Sequence, residues 1–107
     1  MHAMTNWAMG GTGFLSSEGN LVPKLTQSLV DNYASGDYPA AERDYTKVNR
    51  LFMASRSGGD MKSMFRALGL PGGYPRLPRV TRSDEASIEA AKDRLRALEI
   101  PELAELL

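Results

Sequence analysis

Apolar residues recur at helical spacing along most of this chain, and the pattern predicts four helices separated by glycine and proline. The apolar positions fall three or four residues apart, which is the repeat of one face of an α-helix. The four stripes comprise Leu25, Leu29 and Tyr33; Ala41, Tyr45, Val48 and Phe52; Met61, Met64, Phe65 and Leu68; and Ile88, Ala91, Leu95 and Leu98. Gly36 and Gly69 are expected to end the first and third helices, because glycine readily adopts the left-handed conformation that closes a helix.

Polar residues and a proline mark where these helices begin. We expect Asp37, Asp60 and Ser83 to cap the second, third and fourth helices, since a side-chain oxygen at that position accepts hydrogen bonds from the free N–H groups of the first turn. Pro23 suits the first turn of the first helix, where its missing N–H costs nothing. Leu70 to Arg82 contains three prolines and has no helical period, so it is predicted to be an extended crossing segment.

A short segment before the first of these helices does not follow the helical pattern. Phe14 to Ser16 is predicted to form one buried strand, preceded by the end of a helix within Met1 to Met9 that stops at Gly10 and Gly11. A single strand leaves its backbone donors and acceptors unpaired, so partner strands from elsewhere are expected. The helical segment within Met1 to Met9 has no N-cap, and we expect the chain to begin inside a larger unit.

Composition narrows the class of protein. The 107 residues carry 13 basic and 13 acidic side chains, and 42% are apolar, as expected for a globular chain with one modest core. Zero net charge argues against nucleic acid as a partner. The longest apolar run, Leu51 to Ala54, is too short for a membrane helix, and no signal-peptide pattern opens the chain, so the cytoplasm is the predicted location. With no cysteine and one histidine, neither disulfides nor a Cys/His metal site is expected, and no cofactor is predicted.

Charge is unevenly distributed within the neutral total. Residues 61 to 82 hold five basic side chains and no acidic one, whereas residues 83 to 107 hold seven acidic and three basic ones. The favoured interpretation is a basic connection that lies against an acidic terminal helix. A patch that binds a polyanion is the alternative.

Polar side chains cluster directly after the predicted strand. Ser16, Ser17, Glu18 and Asn20 stand within five residues of one another. In a parallel barrel, polar residues at the carboxyl end of a strand face the active site. On sequence alone a cap for the next helix is the favoured role, and a place at the mouth of a barrel is the alternative. The glycine-rich stretch 10–13 could cradle a phosphate, but it precedes the strand instead of following it, which favours a tight turn.

Four stretches resemble one enzyme family. Gly10-Gly11-Thr12-Gly13-Phe14-Leu15-Ser16-Ser17-Glu18-Gly19-Asn20-Leu21-Val22-Pro23 resembles the last-strand segment of the dihydrodipicolinate synthase/N-acetylneuraminate lyase family, roughly Gly-x-x-Gly-x-Ile-Ser-x-x-x-Asn-x-x-Pro. In the same order, residues 36–41 resemble its Gly-Asp-x-x-x-Ala turn, residues 62–70 its Lys-x-x-x-x-x-Leu-Gly-Leu stretch, and residues 76–78 its Arg-x-Pro. The resemblance covers residues 10 to 98.

This resemblance implies a fold and a chemistry. The fold is a mostly α chain that forms the C-terminal fragment of a (β/α)8 TIM barrel, that is, the last strand plus the C-terminal helices. Residues 1–107 would form a single unit, in which 1–35 are the end of the barrel (helix, strand 8, helix 8) and 36–107 a C-terminal helical extension. Family members are class I aldolases and dehydratases, which join a strand lysine to a 2-oxo acid such as pyruvate as a Schiff base while a tyrosine relays protons.

The resemblance places neither of those catalytic residues in this chain. Both lie upstream in the family, and Lys24, Lys47 and Lys62 lie instead on predicted helices. The four tyrosines match no catalytic tyrosine. The isolated chain is therefore expected not to be catalytic alone, and whether it acts as an enzyme is left open. A 2-oxo acid would bind only in a complete barrel.

The resemblance also implies site residues and partners. Ser16, Ser17 and Asn20 match family positions near the barrel mouth, where they would shape the substrate pocket. Glu18 departs from the residues expected there, which leaves the substrate open. The expected partner is the rest of the barrel or a second copy of the chain. The alternative function is a non-catalytic helical interaction module or homo-oligomer.

Overall fold

The computed structural model describes residues 2–56, 61–78 and 84–107, and this part of the chain is mostly helical. The α-helices are α1 (Ala3–Ala8), α2 (Pro23–Ala34), α3 (Tyr38–Arg56), α4 (Met61–Ala67), α5 (Glu85–Arg96) and α6 (Pro101–Ala104), and a 3-10 turn spans Glu18–Asn20. The predicted mostly helical class is confirmed. None of the described helices is both long and apolar enough to cross a bilayer. The cytoplasmic location stays a prediction.

The strand predicted at Phe14 to Ser16 is wrong for this chain. Residues 11–16 belong to no helix or strand, and no β-strand occurs anywhere in the described ranges. The side chain of Leu15 is fully exposed. A strand exists only when its backbone pairs with a neighbouring strand, and the described residues supply no neighbour. The apolar pattern therefore identified a segment suited to a sheet, but not the sheet itself.

The chain divides into two compact units, Met1–Phe52 and Met53–Leu107. In the first unit the fully buried side chains come from α2, α3 and the turn before α2, and they include Leu21, Val22, Leu29, Val48 and Leu51. Trp7 of α1 packs against the rings of Tyr33 at 4.7 Å and Phe14 at 5.1 Å between centroids. The stripes predicted for the first two long helices therefore do face a core. The predicted division after residue 35 stays a prediction.

Three consecutive residues join α2 to α3. Gly36 has φ +82°, and its N–H donates to the carbonyl of Tyr33 at 3.1 Å. The N–H of Asp37 donates to the carbonyl of Asn32 at 2.9 Å. The left-handed Gly36 between them closes α2. The Asp37 carboxylate then accepts the N–H of Ala40 at 3.1 Å and caps α3. The predicted stop at Gly36 and the predicted cap at Asp37 are both confirmed.

A half-buried carboxylate links α2 and α3 away from that junction. Asp44 of α3 accepts hydrogen bonds from the Ser28 hydroxyl at 2.6 Å and from the Asn32 amide at 2.9 Å, both on α2. These bonds fix the rotation of α2 relative to α3. Because α2 follows directly from the 3-10 turn, they also help to hold the polar cluster in place.

In the second unit α4 packs against α5. Its buried apolar side chains include Met64, Leu68, Leu95, Ile100 and Leu103. Gly69, with φ +70°, follows α4, as the sequence predicts for a helix stop. Residues 70–76 then run without helix or strand, as expected for a segment with no helical period, and its extended, crossing course stays a prediction.

The helix starts of the second unit differ partly from the prediction. Asp84, in extended conformation, caps α5 by accepting the N–H of Ser87 at 2.9 Å. The cap predicted at Ser83 is thus one residue too early, because two adjacent residues can both cap and the backbone enters the helix at Glu85. Ser83 itself and the cap predicted at Asp60 lie outside the described residues.

Candidate functional site

The polar cluster after residue 15 is organised around one buried carboxylate. Glu18 is 2% exposed. Its Oε2 accepts a hydrogen bond from the Ser16 hydroxyl at 3.1 Å, and its Oε1 accepts one from the Ser17 hydroxyl at 2.8 Å. The N–H of Gly19 donates to the Ser16 hydroxyl oxygen at 3.1 Å. The two predicted serines are therefore brought together, on either oxygen of the same carboxylate.

The 3-10 turn explains why these side chains meet. The N–H groups of Leu21 and Val22 both donate to the Glu18 carbonyl, at 2.8 and 3.0 Å, which wraps the chain tightly between the serines and α2. Leu21 and Val22 are buried below the turn and anchor it to the core of the first unit. The turn thus draws the Glu18 side chain inward while Ser17 stays exposed at the surface.

Asn20 contacts the same cluster through the backbone. Its side-chain amide donates to the Ser17 carbonyl at 3.1 Å, and its backbone N–H donates to the same oxygen at 3.2 Å. The Asn20 side chain is exposed. All three predicted site residues therefore lie in one continuous turn, with Ser17 in the middle.

The role of this cluster as a helix cap, favoured on sequence alone, is wrong. The residue at the N-cap of α2 is Val22, whose side chain makes no cap hydrogen bond, and the cluster's side chains bond to Glu18 and to the Ser17 carbonyl instead. Pro23 occupies the first helical position, where it removes one of the donors that a cap would satisfy, as predicted. The Thr26 side chain and backbone N–H both donate to the Val22 carbonyl, at 2.9 and 3.0 Å. Asn20 therefore stabilises the 3-10 turn and not the helix after it.

The glycine-rich stretch before the cluster forms a turn. The N–H of Gly10 donates to the Trp7 carbonyl at 3.0 Å and the N–H of Gly11 to the Asn6 carbonyl at 2.9 Å, so both close the end of α1. The Asn6 side-chain amide donates to the Gly13 carbonyl at 2.7 Å. Two of the N–H groups that would cradle a phosphate are thus already bonded, which supports the tight-turn interpretation.

All four lysines of the chain lie on helices. Lys24 lies on α2, Lys47 on α3, Lys62 on α4 and Lys92 on α5. The Lys62 ammonium donates to the Tyr74 carbonyl at 2.9 Å. Lys92 forms an ion pair with Glu89 at 3.1 Å on its own helix. The helical placement expected for the first three is confirmed, and Lys92 follows the same rule.

The sequence indicated the serines and Asn20 but not the role of Glu18. An acidic residue between polar neighbours is usually exposed. The sequence signal for a buried Glu18 is the order of residue types. Two hydroxyl donors directly precede the carboxylate, and a glycine and then two apolar residues, Leu21 and Val22, follow it. Among the described residues no group of three or more potential ligands could hold a metal ion.

Comparison with known proteins identifies relatives over most of the chain. The 4-hydroxy-tetrahydrodipicolinate synthase of Archaeoglobus fulgidus is 27% identical over 95 residues, which are 86% of this chain and 32% of the relative. The protein of that name from Anaeromyxobacter sp. (strain K) is 32% identical over 91 residues, covering 82% of this chain and 30% of the relative. The L-threo-3-deoxy-hexylosonate aldolase of Hypocrea jecorina is 32% identical over 96 residues, covering 85% and 30%.

The relatives match most of this chain but only part of their own length. The chain spans about a third of the length of these curated relatives. No solved structure matches it. The model of the Dihydrodipicolinate synthetase family matches residues 1–97, which confirms the resemblance inferred from the motifs. The chain therefore belongs to the dihydrodipicolinate synthetase family.

Proposed function

We propose that this chain supplies the carboxyl-terminal part of a (β/α)8 barrel that acts on a 2-oxo acid such as pyruvate through a Schiff base. The observation that carries the proposal is the family match over residues 1–97. Relatives that match at similar identity are named as a synthase and as an aldolase. We infer that the complete protein is a lyase of this type. We also infer that the second substrate, which reacts with the 2-oxo acid, differs between members of the family.

The segment before the polar cluster supports a place within a sheet. Residues 11–16 form neither helix nor strand in the described part of the chain, and Leu15 projects into solvent. Such a segment gains backbone hydrogen bonds when strands are present on both of its sides. We propose that Phe14 to Ser16 becomes the last strand when the rest of the barrel is present, and that residues 17–20 then follow its carboxyl end.

On this proposal Ser16, Ser17 and Asn20 line the pocket and take no part in bond making. Active sites of such barrels lie at the carboxyl ends of the strands. The three residues sit in one turn, whose backbone and side-chain hydrogen bonds fix their positions. A turn that is held in place before substrate arrives reduces the ordering cost of binding. Their proposed role is to shape the space beside the 2-oxo acid.

The Schiff base requires a lysine from outside this chain. In its formation the lysine amine adds to the C2 carbonyl carbon of the 2-oxo acid, a proton is taken up and a water molecule leaves, which gives an iminium. The amine must be neutral and must face the pocket. The four lysines here lie on helices, and Lys62 and Lys92 are each engaged by another group. We therefore propose that the chain alone forms no Schiff base.

Borohydride trapping with pyruvate tests this directly. The chain is tested alone and also joined to the part of the Anaeromyxobacter relative that precedes the matched 91 residues. We expect a stable pyruvate adduct only in the joined protein, on a lysine outside this chain, because borohydride reduces the iminium to an irreversible amine. A Lys62→Arg variant of the joined protein serves as the control and is expected to trap equally well. An adduct on any of the chain's own four lysines would contradict the proposal.

Asn20 offers a test of the binding role. Asn20→Asp removes the amide that donates to the Ser17 carbonyl and places a carboxylate beside the substrate. In the joined protein we expect a higher KM for pyruvate with little change in kcat. Asn20→Ala removes the same hydrogen bond without adding charge, so it separates the two effects. If both variants lower stability equally and leave KM unchanged, Asn20 is structural only.

A second candidate function rests on the same exposed segment. Residues 14–16 lie in no strand of the described part of the chain and include the exposed Leu15, so they could pair with a second copy of the chain, since unpaired strand edges and apolar surface favour association. The chain would then act as a non-catalytic interaction module or homo-oligomer. Size-exclusion chromatography with light scattering distinguishes the candidates, because a strictly monomeric chain would exclude self-association as its function.

A further inference from the structure

We propose that Glu18 determines which substrates the pocket accepts. It holds the hydroxyl hydrogens of Ser16 and Ser17, so that the side of the pocket formed by these two serines presents hydrogen-bond acceptors. The inference rests on the proposed function and deepens it. Glu18 acts here as a positioning residue, through the two serines, and not on the reacting atoms. The substrate class that follows is a hydroxyl-rich, uncharged aldehyde as the partner of the 2-oxo acid, in preference to an aldehyde that carries a carboxylate.

The direction of the two serine hydrogen bonds follows from the chemistry of the groups. An ionised carboxylate has no hydrogen to give and can only accept. Each serine hydroxyl has one hydrogen, and each donates it to the Glu18 carboxylate, at 3.1 Å from Ser16 and 2.8 Å from Ser17. The N–H of Gly19 points at the Ser16 oxygen, which is consistent with an oxygen whose own hydrogen is directed elsewhere.

Burial makes this arrangement stable. With 2% of its surface exposed, Glu18 cannot exchange the serine hydroxyls for water without leaving the turn, and a buried carboxylate without donors is costly. Ser17 by contrast is exposed. Ser17 is therefore the serine of the cluster that a ligand reaches, and its hydroxyl hydrogen is directed at the Glu18 carboxylate behind it.

A group that binds such a surface must donate. A substrate hydroxyl can give its hydrogen to the Ser17 oxygen and is attracted by the carboxylate behind it. A substrate carboxylate meets the Ser17 lone pairs and like charge, and this mismatch gives selectivity mainly by repulsion. The Asn20 amide offsets this only in part, because one of its two hydrogens is committed to the Ser17 carbonyl.

The test compares two aldehydes in the joined protein described above. In the aldol addition, C3 of the lysine-bound pyruvate loses a proton and bonds to the aldehyde carbon, the aldehyde oxygen takes up a proton, and water releases the product from the lysine. The acceptors are D-glyceraldehyde, which is hydroxylated and uncharged, and succinic semialdehyde, which carries a carboxylate. The measured quantity is the ratio of their kcat/KM values, with KM and kcat determined separately.

We expect the unmodified protein to prefer D-glyceraldehyde and Glu18→Gln to reduce that preference by about tenfold, the effect of roughly one charge-assisted hydrogen bond. The change should appear in the KM for the aldehydes and leave the KM for pyruvate unaltered. Glu42→Gln removes the same charge from an exposed position on α3 and should leave the ratio unchanged. Glu18→Asp keeps the charge and should keep most of the preference.

The outcomes separate the two proposals. A joined protein that traps no pyruvate overturns the proposed function, and the present inference with it. A protein that traps pyruvate but whose aldehyde ratio is the same in Glu18→Gln overturns the inference alone, and Glu18 is then a structural residue of the turn. Where Glu18→Gln does not fold, Ser17→Ala decides, since it must lower kcat/KM for D-glyceraldehyde about tenfold and spare succinic semialdehyde.

Discussion

Replacing Asp44 by alanine should destabilise the first unit strongly, because this one carboxylate holds α2 against α3. The change removes two hydrogen bonds to a charged acceptor, from Ser28 at 2.6 Å and from Asn32 at 2.9 Å. Hydrogen bonds to charged groups contribute about 1.5–3 kcal/mol each, and partial solvent exposure places this pair at the low end. We expect a loss of about 2–3 kcal/mol in the free energy of unfolding, or roughly 10–15 °C in Tm for a domain of this size.

The assay is thermal and urea unfolding followed by the fluorescence of Trp7, which packs against Tyr33 of the same unit. Asp31→Ala is the matched control, because Asp31 is exposed and its carboxylate accepts from Gln27 on its own helix, at 2.8 Å. That control should lose less than about 0.5 kcal/mol. If Asp44→Ala unfolds within about 0.5 kcal/mol of the unmodified chain, the bonds to α2 do not determine stability and the reasoning is refuted.

Two further predictions concern α5. Asp84→Ala removes the cap that accepts the Ser87 N–H and should lower stability by about 1 kcal/mol, measured as a loss of helical circular dichroism at intermediate urea, whereas Asp84→Asn should be nearly neutral. The pKa of Glu89 is held below its ordinary value of 4.5 by hydrogen bonds from Lys92 and then Arg96. A lowered pKa stabilises the helix above pH 4.5, and that contribution is lost as the pH falls through the lower value. We expect α5 helicity to decrease in acid, less so in Glu89→Gln, and an identical acid titration of the two proteins would exclude the effect.

The helices could be predicted from sequence because their signals are local. The four-residue spacing of Leu25, Leu29 and Tyr33 and the pair Gly36–Asp37 act within a few residues, and α2 and α3 appear where the pattern placed them. Helical hydrogen bonds close within the segment itself, so no distant partner is needed. The shift of the α5 cap to Asp84 shows the normal limit of such reasoning, since adjacent residues can both cap.

The strand and the site could be predicted only in part. Phe14 to Ser16 has the composition of a strand, but pairing depends on residues far away in sequence or in another chain, and local pattern holds no information on whether they are present. Of the two roles that the sequence leaves open for Asn20, the helix cap is wrong for a related reason. The chain enters α2 through Val22 and Pro23, which leaves the Asn20 amide to bond backward to Ser17. Glu18 could not be placed at all, because its burial results from how the turn folds.

The junction between α2 and α3 restricts where insertions can be accepted during the evolution of this chain. Connections between helices normally accept insertions, because extra residues add little to the cost of closing a loop. Here Ser35, Gly36 and Asp37 each carry a backbone hydrogen bond that ends one helix, and Asp37 also starts the next. No residue in the connection is spare. An added residue must break a helix end or displace the Asp37 cap, so length variation among homologous chains should be absent from this junction and should concentrate in other connections.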